Sequence, residues 1–60
     1  MIEYWRQNES KHVEAITRLR AMRDLAKSEE RTQDVYLAKK ELTWHSIELS
    51  ICRDAINKFN

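Results

Sequence analysis

Three side chains in this sequence are soft-metal ligands: His12, His45 and Cys52. If the chain folds back near residue 30 or 31, antiparallel pairing sets His12 opposite Leu49, between His45 and Cys52 on the facing helix. That arrangement suggests zinc, but the spacing argues against it. His45 and Cys52 lie seven residues apart, about 10.5 Å along a helix, whereas a zinc ion takes each ligand at about 2.0–2.3 Å. There is no CxxC or HxxxH pair to bring two ligands together. The expectation is no metal and no cofactor. The histidines then occupy seam positions with polar partners such as Asn8, Glu41 or Glu48, and Cys52 is a small buried apolar group.

Other chemistry is equally sparse. Glu9, Glu14, Glu41 and Glu48 have basic or polar neighbours at helical spacing and read as solvated charges. No glycine is present, so no phosphate-cradling loop of the dinucleotide or P-loop kind is available. The expectation is a protein that is not an enzyme.

Two residue sets point to binding instead. Leu37, Trp44 and Ile51 recur every seven residues, joined by Ile47 and Ala55, with Tyr36 nearby. Together they would form a patch of the kind that marks an interaction surface. Trp5 and Tyr4 add aromatic contact candidates near the N-terminus, Trp and Tyr being enriched among interface hot spots. The second set is basic: Arg20, Lys27 and Arg31 share one helix face, with Arg23 beside them. Such an array is able to contact phosphates, although Asp24, Glu29 and Glu30 lie in the same region and the glycine turn of a helix-turn-helix is missing.

The elements that must position these residues follow from composition. Sixty residues without glycine or proline, 35% charged and 42% hydrophobic, leave little punctuation for strands and tight turns. The sequence therefore reads as nearly all helix. In the first half Trp5, His12, Ala15, Ile16, Leu19, Met22 and Ala26 share one face, extended by Met1 and Tyr4. Asn8, Glu9 and Ser10 offer a start for this helix, with an earlier start open. In the second half Val35, Ala38, Leu42, His45, Leu49, Cys52, Ile56 and Phe59 alternate steps of three and four, an a/d heptad seam. Between them, residues 27–34 contain no apolar side chain, and the two registers disagree across that stretch.

The expected fold is an all-α antiparallel hairpin with helices at about 8–27 and 33–58 and a loose, side-chain-capped polar connection at 27–34. One long coiled-coil helix is the alternative. A second helix apolar on two sides needs covering on two sides, so the hairpin is expected to pair with a second copy into a four-helix bundle. A chain of this size lacks disulfides to compensate for a small core. The longest apolar run, Val35 to Ala38, is far too short for a bilayer, and the N-terminus carries no basic and apolar leader pattern. One cysteine and no leader fit the reducing cytoplasm. The net charge of +1 gives no strong field toward nucleic acid or anionic lipid. The function expected is protein binding by a homodimer acting as adaptor, inhibitor or regulator of a larger protein partner. The alternative is a dimer binding nucleic acid through Arg20, Arg23, Lys27 and Arg31.

Overall fold

Two helices of equal length account for nearly the whole chain: α1, Ile2–Ser28, and α2, Thr32–Lys58, each of 27 residues. A computed structural model describes residues 1–59. The helices lie antiparallel in a rod of 44 × 14 × 12 Å, the length expected for 27 residues at about 1.5 Å each. The hairpin predicted from the apolar pattern is the fold, and the single long helix is not.

The buried seam is narrow. Ala15, Ile16, Leu19 and Ala26 of α1 meet Ala38, Leu42 and Cys52 of α2. Ile16, Leu19 and Leu42 form the centre, with Leu49 packed against them. Val35, His45, Leu49 and Ile56 are half-buried, as the a/d spacing of α2 requires, whereas its last seam member, Phe59, is exposed. Of the predicted α1 stripe, Met1, Tyr4 and Met22 are also exposed.

α1 starts six residues earlier than expected. Its N-cap is Met1, which contributes no side-chain hydrogen bond. Asn8 lies inside the helix, where its Nδ2 donates to the Tyr4 carbonyl at 2.8 Å. Asparagine and serine are good caps, but nothing upstream breaks the helix, so they are carried as ordinary interior residues.

The connection corrects a second expectation. Within residues 27–34 only Glu29, Glu30 and Arg31 are non-helical, so most of that polar stretch is helix surface. The turn is tight and held by backbone bonds. The Arg31 amide donates to the Ala26 carbonyl at 2.9 Å and the Glu30 amide to the Lys27 carbonyl at 3.2 Å. These are the paired six-to-one and five-to-two bonds of a Schellman motif, which needs a left-handed residue at its second position. Glu30 fills it with φ at 59°. A side chain with a Cβ pays roughly 1–2 kcal/mol to be there. Arg31 then bridges the turn, with Nε 2.8 Å from Glu29 Oε1 and Nη1 2.9 Å from Asp34 Oδ2.

Candidate interaction surface

α2 presents two apolar sides, and α1 covers one. On the other, Leu37, Trp44, Ile47 and Ile51 are 50, 55, 56 and 49% exposed. Their spacing puts them within a third of the helix circumference, on the side away from Leu42 and Leu49. Three shallow hollows run along this side of the hairpin. Near the turn, Leu37 shares a hollow with Leu19, Met22 and Leu25 of α1. At mid-length, Leu37 and Trp44 line the next, with Lys40, Glu41 and His45. At the open end, Ile51 and Ala55 line the third with Trp5 and Phe59.

The sequence stripe on α2 is thus part of a wider face to which α1 adds Met22 and Leu25. Met22 was expected to face the core and Leu25 stood outside both stripes. With so few residues per turn buried, the seam has room for Leu19 and Ala26 but not for the side chains beside them. Trp5 is half-buried, with its ring edge-on to Tyr4 at a centroid distance of 5.2 Å.

Trp44 marks where the outer face meets the seam. Its ring stands edge-on to His45 at 4.8 Å and to His12 at 5.9 Å. The two imidazoles meet directly, Nδ1 to Nδ1 at 2.8 Å, across the helices. So the His12 ring reaches His45 directly. Each histidine is also the other's polar partner, in place of Asn8, Glu41 or Glu48. One ring donates its Nδ1–H and the other accepts on a bare Nδ1, so the contact requires at least one neutral ring.

Cys52 is buried in the seam, and this burial pushes its thiol above the ordinary value of 9.0, helped by the negative charges of Glu48 and Glu9. Glu9 also pairs across the helices with Arg53 at 3.2 Å. Among the described residues no group of three or more His, Cys, Asp or Glu is placed to hold a metal ion.

The four basic residues do not form one free array. Arg31 is engaged by Glu29 and Asp34, and Arg23 Nε lies 3.2 Å from Asp24 Oδ1. Arg20 lines a hollow on the opposite side of the hairpin with Val13, Ser46 and Arg53, while Lys27 is exposed beside the turn. No described helix is long and apolar enough to cross a membrane. The chain matches no family model, no curated protein and no solved structure.

Proposed function

We propose that this chain is a non-enzymatic helical-hairpin module that pairs with a second copy of itself through the Leu37, Trp44, Ile47 and Ile51 face. The pair then acts as an adaptor, inhibitor or regulator by occupying the surface of a larger protein. The observation that carries the reading is an imbalance of apolar burial. Among the described residues seven are buried, four of them alanine or cysteine, whereas eleven large apolar side chains are exposed.

The exposed area supports the same reading. A folded monomer of 7.3 kDa ordinarily exposes about 4,200 Å². This hairpin exposes 4897 Å². The excess of about 700 Å² is close to the roughly 800 Å² that each partner covers in a standard interface. A second copy suits the face because a two-fold axis would lay one long apolar stripe against another and complete a four-helix bundle. Outside that stripe Tyr4, Tyr36 and Phe59 are also exposed, and aromatic residues are the usual anchors for a protein partner. The buried free Cys52 is compatible with a reducing compartment such as the cytoplasm.

Sedimentation equilibrium tests the assembly: a dimer mass at tens of micromolar is expected, with Trp44→Glu shifting the population to monomer. A wild-type chain that stays monomeric in that range overturns it. Nucleic acid remains the alternative for the basic residues, and Arg23 and Arg31 already have carboxylate partners. An electrophoretic shift at ~50 mM salt that disappears by ~200 mM would favour it, since several phosphate contacts give a steep salt dependence.

A further inference from the structure

We propose that His12 and His45 form a two-imidazole site for an imidazole-preferring transition-metal ion, Zn²⁺ in the first instance, which clips α1 to α2 beside Trp44. Two ring nitrogens from residues 33 apart in sequence converge to 2.8 Å across the seam. A tetrahedral ion with bonds of about 2.0–2.1 Å holds two nitrogens roughly 3.3 Å apart. The rings therefore need to separate by only about 0.5 Å, which small side-chain rotations supply.

The proton arithmetic is simple. In the metal-free pair one ring carries its proton on Nδ1 and lends it to the other. When both Nδ1 atoms bind the ion, that ring takes its proton on Nε2 instead, so a neutral pair releases none. The rings are also held in place. Trp44 stands edge-on to both, with ring planes tilted by 70 and 76°. Both histidines are only partly buried, so the ion has a route in and water would fill the remaining coordination positions. Glu41, in the same hollow as His45 and Trp44, adds a negative charge close by, and Lys40 in that hollow opposes it. On the other flanks Glu48 lies one turn beyond His45, and Glu9, one turn before His12, is paired with Arg53.

This site lies within one hairpin and does not require the second copy, so Ile51→Glu, chosen to disrupt the proposed pairing, should bind Zn²⁺ as the wild type does. A chain of 60 residues permits direct observation of the ring nitrogens by ¹⁵N NMR. At pH 8, one ring is expected as the Nδ1–H tautomer without metal, and both as Nε2–H after one equivalent of Zn²⁺. His12→Gln and His45→Gln should each weaken Zn²⁺ binding at least about tenfold, with helix content checked by circular dichroism. Ring tautomers that do not respond to millimolar Zn²⁺, or a Zn²⁺ affinity unchanged by both substitutions, would overturn the proposal.

Discussion

Along α2, the side that meets α1 and the side that does not are built from different kinds of residue. The covered side is narrow and partly small: Ala38, Leu42 and Cys52 are buried, with Val35, His45, Leu49 and Ile56 half-covered. The uncovered side holds Leu37, Trp44, Ile47 and Ile51, two aliphatic β-branched residues and an indole among them. Fully burying a large apolar side chain contributes about 1.5–3 kcal/mol, and these four are about half exposed, so covering the outer side would add roughly half of that for each. A hairpin arranged this way is a half-finished core. The seam fixes which residues face outward, and on the proposed pairing the outer face would add burial to a domain whose own core is small.

The largest expected effect tests the seam. Leu42 lies in the central cluster with Ile16 and Leu19, so Leu42→Ala should cost about 2–4 kcal/mol, read from urea denaturation at fixed protein concentration. A cost below 1 kcal/mol would mean that the hairpin draws little from its own interior, and the contrast between the two sides would lose its basis.

Next comes the outer face. Ile51→Glu places a charge among Trp5, Ala55 and Phe59 without entering the buried seam. It should weaken self-association at least 100-fold, about 2.7 kcal/mol, while the helical circular dichroism signal at high concentration is retained. If association survives unchanged, the face that pairs is a different one.

How far the sequence foretold this contrast depends on the element. The heptad spacing from Val35 onward placed α2 within a residue of Thr32–Lys58, because an a/d pattern sustained over three repeats has few alternative readings. The same spacing separates the two apolar sides of α2. The start of α1 was not legible: Met1 caps nothing through its side chain, while Asn8 and Ser10, which resemble caps, are interior. The place of the turn near residue 30 or 31 was legible, but its form was hidden for a related reason. Its bonds are made by backbone groups of Ala26, Lys27, Glu30 and Arg31, which any side chains permit, and the left-handed position is held by glutamate where glycine would have announced it. The meeting of His12 with His45 depends on side-chain direction as well as on helix register, which counting residues from the turn does not supply.

That turn offers a smaller perturbation that touches neither side. Glu30→Gly relieves a left-handed φ at 59° and should raise hairpin stability by about 1 kcal/mol with no change in the dissociation constant of the proposed dimer. Stability and association moving together would show that folding and pairing are one transition, in which case the two sides of α2 are not energetically separable.

The smallest expected effect concerns how dry the seam is. Cys52 has its thiol raised above 9.0, first by burial and then by Glu48 and Glu9. A group with a raised folded-state value contributes stability that is present below the ordinary thiol range and is lost as the pH climbs through that raised value, because the unfolded chain ionises first. Wild-type stability should therefore fall from pH 8 to pH 10 more than that of Cys52→Ala, in which the thiol is absent. Lysine and tyrosine also titrate in this range, so the difference between the two slopes is the quantity to read. Equal slopes would mean that the thiol ionises in the folded chain as freely as in the unfolded one. The seam at Cys52 would then be open to water, and the side of α2 called covered would differ less from its outer face than burial indicates.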